Sequence, residues 1–197
     1  MQSHVCVIEK GSKDLDTILK ECEKVAEYNG LTDKQALQLR LLCEEVDGML
    51  PNIIDDFSGK LWIEYDSGVC KVNVSIKIPD LNAGKKKELI EISTGKKNSS
   101  AVGIVGKIRN AIEDFLLNEE EYTVSTSAGF QRSTGFSEGV DYKYIWSLEE
   151  YRGCVNQDEA PEAWDELEKS IIASLADNVL VGVKGNQADI AIIKKFA

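Results

Sequence analysis

Gly103 and Gly106, within Gly103-Ile104-Val105-Gly106-Lys107, are placed to hold an anion. Unpaired N–H groups and the dipole at a helix start attract phosphate, and glycine lets the ligand approach the backbone. The competing reading gives Gly106 to close helix packing. Upstream, the loop Gly95-Lys96-Lys97-Asn98-Ser99-Ser100 gathers positive charge and hydroxyls, and Lys85, Lys86 and Lys87 add three more cations. Together they form a cationic lid for anions, or a solvated loop, the commoner fate of lysine runs. Neither glycine–lysine pair belongs to a G-x-x-x-x-G-K-[ST] motif, so no P-loop is indicated. Asp80-Leu81-Asn82-Ala83-Gly84 follows a strand-like run and offers a carboxylate, Asp80, beside a flexible Gly84. After Pro79 that carboxylate also suits a turn or a helix cap.

Other chemistry lacks its residues. The chain has one histidine, His4, which leaves no general base for a serine or cysteine nucleophile unless folding carries it into a cleft. The five cysteines (Cys6, Cys22, Cys43, Cys70, Cys154) are scattered, odd in number and without a CxxC, so they read as reduced core thiols. A zinc site is not expected. Trp146 and Trp164 read as core or interface aromatics rather than a ligand box.

These residues need elements to position them. At 197 residues and 43% hydrophobic, the chain fits a single domain over residues 1–197 with a buried core. No apolar run reaches the roughly 18–20 residues a membrane span requires. No charged-then-apolar leader opens the chain, so a cytoplasmic location is expected. A net charge of −11 argues against nucleic acid as the main partner.

A β-like run covers His4 to Ile8. Leu15, Ile18, Leu19, Cys22, Val25 and Ala26 then fall on one helical face, stopped by Asn29-Gly30. Thr32 and Gln35 form a capping box for a second helix with the stripe Leu39, Leu42, Val46, Met49, Leu50, Ile53. Pro51 within that stripe predicts a kink or break near Met49. Asp66-Ser67-Gly68 joins two strands, of which the second alternates Val72, Val74, Ile76, Ile78 with Lys71, Asn73, Ser75, Lys77. Alternation of that kind predicts one covered and one wet face, hence helices on one side only. A short helix is expected over residues 85–91, a further one through Ile104, Ile108 and Ile112, and one opened by Pro161. A final hairpin turns at Gly185-Asn186. Residues 118–160 read as an insertion with some strand and a short helix.

The order strand, helix, helix, hairpin, lid, glycine-bearing helix and late hairpin resembles the GHKL, or histidine-kinase-like, ATPases. It is most similar to the anti-sigma-factor serine-kinase branch. That branch carries a helix motif close to L-A-V-S-E-A-x-x-N, which Leu41-Leu42-Cys43-Glu44-Glu45-Val46-Asp47-Gly48-Met49 overlays with Glu45 on the acidic residue. The resemblance covers residues 3–115 and the last hairpin. It implies an α+β, two-layer Bergerat-like sandwich, with helices on one face of a mixed, mainly antiparallel sheet. It further implies ATP as ligand and Glu45 as the catalytic group that orients or deprotonates the nucleophile. Asp80 would contact the adenine amine. Gly84, Gly103, Gly106, Lys96 and Lys97 would frame the phosphates.

The sequence departs from the pattern at two points. Met49 stands where the family places the Mg²⁺-ligating asparagine, and a thioether is a poor ligand for a hard cation. Asn82 stands where the first glycine of D-x-G-x-G belongs. The functional expectation is an anti-sigma-like partner-switching regulator with weak or lost nucleotide binding. If active, it would be an ATP-dependent serine kinase or ATPase. The alternative is a non-catalytic protein-interaction module on the same fold, with residues 118–160 as the contact surface. Either way the expected partner is another protein rather than nucleic acid or membrane, and a homodimer is compatible with the family.

Overall fold

The computed structural model describes residues 1–11, 15–54, 56–78, 103–117, 144–154 and 170–196. Strand β1 (Cys6–Glu9) is followed by helices α1 (Leu15–Tyr28) and α2 (Asp33–Ile53), then by the hairpin β2 (Ser58–Asp66) and β3 (Val69–Lys77). Helix α3 (Gly103–Leu117), strand β4 (Tyr144–Ser147), and helices α4 (Leu148–Cys154) and α5 (Ile171–Leu175) come next. The hairpin β5 (Asn178–Lys184) and β6 (Gln187–Lys195) closes the order. The strands form one six-stranded sheet in the order β1-β2-β3-β6-β5-β4. Every described pairing is antiparallel, so the sheet is not mixed among these strands.

Local chemistry accounts for the element ends. Gly30, in the left-handed region at φ 63°, lets the Leu31 N–H reach back to the Ala26 carbonyl and close α1. Thr32 and Gln35 make the expected capping box at the head of α2. The turn residues Ser67 (φ 49°) and Gly68 (φ 83°) are both left-handed, the backbone a two-residue hairpin demands. Pro51 does not break α2. The helix runs on to Ile53 and closes with the Ile54 N–H on the Leu50 carbonyl, because a proline so near the end disturbs only the last turn.

Buried residues of α1, α2, α3, α4 and α5 share one core with Leu61 and Ile63 of β2, Val72, Val74 and Ile76 of β3, and the corresponding faces of β5 and β6. The described helices thus pack on one face. The other face is not wet throughout, contrary to the alternation of β3. Trp62, Asn73, Ala191, Leu180 and Ser147 lie in register across it. Asn73, Ala191, Leu180 and Ser147 of that row are buried, as is Asp189 beside it. The reason lies in β5 and β6, whose runs Val179–Val183 and Ala188–Ile193 are nearly unbroken in apolar or small residues. That pattern marks two-sided burial. Strand β4 and helix α4 fall in the stretch read as an insertion. Yet β4 extends the sheet and Leu148 is fully buried in the main core.

The first strand carries a β-bulge. Met1 and Ser3 bond to Tyr65 and Ile63, whereas Cys6 lies opposite Leu61. Two residues, His4 and Val5, therefore face Trp62 alone. The His4 N–H leaves the ladder for the Glu21 carboxylate on α1 at 3.1 Å. His4 Nδ1 at 3.2 Å and Lys24 Nζ at 2.5 Å complete that carboxylate's partners. Lys24 chiefly, with the His4 bonds, holds the Glu21 carboxyl below its ordinary range against the opposing effect of burial.

Candidate functional site

Helix α2 positions Glu45. The buried side of α2 carries Leu39, Leu42, Cys43, Val46, Met49, Leu50 and Ile53. Its α1 flank is marked by Arg40, which bridges Glu23 of α1 at 3.2 Å and Glu44 at 3.0 Å. At about 100° per residue, Glu45 lies about 140° around the helix from Arg40. It therefore sits, half-buried, on the flank away from α1, the side left for α3 and α5, both of which contact α2.

Gly103 and Gly106 lie in the first turn of α3. Gly103 adopts φ 78°, and a Cβ there would meet nothing within 4 Å. Glycine is thus required for its backbone and not for space. Gly106 is buried. The fold accordingly places Glu45 and the glycine pair on two helices in mutual contact. Asp80, Gly84, Lys96 and Lys97, together with the helix expected over residues 85–91, Trp164 and most of the helix opened by Pro161, lie outside the described residues. Met49, at the family's asparagine position, is 3% exposed and packs in the core, where its side chain offers no oxygen to a metal.

The thiols sit in the same core. None of the five cysteines is in a disulfide; Cys6, Cys22, Cys43 and Cys70 are buried and Cys154 is exposed. A hydrogen bond with Cys22, then burial, pushes the Cys43 thiol well up, and burial pushes Cys70 up to about 12. Neither can act as a nucleophile near neutrality. Among the described residues no three His, Cys, Asp or Glu side chains converge on a metal position. No described helix is long and apolar enough to cross a membrane.

A second feature escaped the sequence. A cleft of about 540 Å³ opens at one end of the sheet, where β1 and β3 finish and β2 and β6 begin. Its rim carries Lys10, Lys77, Asp56, Glu9, Ser58 and Asn186, over a floor of Phe57 and Ile78, which are 7% and 5% exposed. These residues come from four separate segments. The Lys10 N–H donates to the Phe57 carbonyl at 3.2 Å and the Ile78 N–H to the Asn186 carbonyl at 2.7 Å, which ties those segments together. Only the strand register makes neighbours of them, so no local motif announced the cleft.

No family model, curated protein or solved structure matches this chain. The class is therefore set by the fold alone: an α+β protein built on a six-stranded antiparallel sheet.

Proposed function

We propose that this domain is an anti-sigma-like, partner-switching regulator on a GHKL-type, Bergerat-like sandwich, in which nucleotide binding is weak and independent of Mg²⁺. The burial of Met49 carries this reading. A side chain held in the core at 3% exposure cannot turn out to meet a cation, and replacing it with asparagine would bury an amide among aliphatic neighbours. Contact between α2, bearing Glu45, and α3, bearing Gly103 and Gly106, supports a nucleotide frame with Asp80, Gly84, Lys96 and Lys97 as its remaining parts. Calorimetric titration with ATP, with and without Mg²⁺, tests the proposal. The expected result is weak heat that the metal leaves unchanged. Tight Mg²⁺-dependent binding with γ-phosphate turnover would make the domain an active serine kinase or ATPase and refute the reading.

A second reading is a non-catalytic protein-interaction module. It is favoured by the edge strand β1, where Val7 is 60% exposed and the neighbouring Val5 is 48% exposed. Exposed apolar residues on a sheet edge suit strand addition by a partner protein. Complete thermal silence toward ATP in the same titration selects this reading.

A further inference from the structure

We propose that the β1 edge takes up an extended segment of a partner protein in which aliphatic residues alternate with Asp or Glu. The proposal rests on the strand-addition reading above and adds the sign of the partner's charge. Among the described strands, β1 has a neighbour on one side only. The Lys10 N–H bonds to the Phe57 carbonyl, and ladder bonds alternate along an antiparallel pair. Cys6 and Ile8 therefore bond toward β2, while the N–H and C=O of Val7 point out of the sheet. Side chains alternate too: Cys6 and Ile8 join the helix-side core, which turns Val7 to the other face. Of the six large hydrophobics exposed among the described residues, four lie along this edge: Met1, Val5, Val7 and Tyr28. Tyr28 belongs there because the next residue, Asn29, reaches Met1 Sδ with its Nδ2 at 3.4 Å.

Charge then selects the partner. Glu21 accepts the His4 bonds and so marks the β1 flank of α1. At about 100° per residue, Lys24 and Tyr28 lie within about 60° of Glu21 around the helix. Asp16, Glu23 and Glu27 lie about 120–160° from it, on the α2 side, where Glu23 bridges Arg40. The exposed carboxylates of α1 thus face away from the strand edge. Glu21 itself is buried and held by His4 and Lys24. On the other face Lys60 stands directly opposite Val7. Glu9 is the exception, at the far end of β1 and next in sequence to Lys10. An incoming strand pairs its backbone with that of Val7. Its aliphatic face covers Val5 and Val7, where Lys60 disfavours a basic residue, and its acidic face lies against His4 and Lys24. A second copy would bring the same His4, Lys10 and Lys24 to the edge, like charge against like. The chain as a whole carries −11 and repels an acidic segment, so a preference for acid has to come from the edge itself.

The test uses the full chain labelled with ¹⁵N and two short blocked peptides, one alternating Val with Glu and one alternating Val with Lys. The Glu peptide is expected to shift the amide resonances of residues 4–9 saturably and to bind at least tenfold more tightly than the Lys peptide. Added salt is expected to narrow that gap. K24Q is expected to reduce the ratio of the two affinities at least threefold, a readout that a merely structural change would not move. Methylating the valine nitrogens of the Glu peptide removes its ladder donors and is expected to abolish binding. Equal binding of the two peptides, or tighter binding of the Lys peptide, would overturn the proposal and leave strand addition standing. Shifts confined to other residues, or no saturable shift from either peptide, would remove strand addition itself and the proposal with it. Concentration-dependent broadening of residues 4–9 in the protein alone would assign the edge to a second copy and equally overturn it.

Discussion

Replacing Gly59 with alanine is expected to destabilise the fold, unlike the same methyl addition at Gly48 or Gly153, where a Cβ meets nothing within 4 Å. Gly59 lies on the helix side of β2, opposite Ile8 of β1 and Ile76 of β3. A Cβ built there stands 2.8 Å from Ile76 Cγ2 and 3.0 Å from Ile76 Cα, and presses on the Ser75 carbonyl oxygen. Two of those three atoms are backbone of an interior strand. β3 is held along its whole length by β2 on one side and β6 on the other, and Ile76 is fully buried, so neither can withdraw. Overpacking of a core usually costs 1–3 kcal/mol, and rigid neighbours put this case at about 3 kcal/mol. For a chain of this size that lowers the melting temperature by roughly 6–12 °C. The control is the same substitution at Gly48, on the exposed side of α2, where a Cβ meets nothing within 4 Å. There alanine is expected to stabilise by about 1 kcal/mol through helix propensity. Urea and thermal unfolding followed by circular dichroism measure both. Gly59→Ala within about 0.5 kcal/mol of the parent would refute the packing argument, since ordinary surface changes span that range.

The same packing and charges lead to three further outcomes. The Glu21 carboxyl is held below its ordinary range of about 4.3, so its contribution is present above that value and fades as pH falls through the folded-state pKa. Acid unfolding of Glu21→Gln should accordingly show a shallower loss of stability below about pH 4.3, and an unaltered slope would remove Glu21 as a source. Native protein should expose one fast-reacting thiol to an Ellman titration at pH 8, Cys154, and all five cysteines only in denaturant; two or more fast native thiols would contradict the burial of the other four. Asn73 is 5% exposed and its Nδ2 has no hydrogen-bond partner among the described residues, so Asn73→Val should raise stability by about 1–2 kcal/mol. A fall in the melting temperature would instead reveal a buried partner for that amide.

Much of the architecture was legible in the residues. The apolar stripes of α1, α2 and α3, the Thr32–Gln35 capping box, and the turns at Ser67-Gly68 and Gly185 each depend on residues a few positions apart. Side-chain periodicity and cap chemistry are local, so a linear reading recovers them. Of the kink or break expected near Met49, the break does not occur, because proline's effect depends on how much helix follows it. The wet face expected from β3 holds only in part, with Asn73 buried, because β3 was read without its neighbours. The apolar runs of β5 and β6 already carried the opposite message.

What the sequence determined by itself, then, is the set of elements, their ends, and the burial of Met49 on an apolar stripe. Only the tertiary structure decided that β4 joins the sheet edge, that the helix bearing Glu45 contacts the helix bearing Gly103, and that Lys10, Lys77 and Asp56 ring one cleft. Hydrogen-bond partners along a helix or across a tight turn are fixed by spacing in the chain. Neighbours across β1, β2, β3 and β6 are fixed by register between segments as much as 176 residues apart, from Lys10 to Asn186, and no local pattern encodes that register.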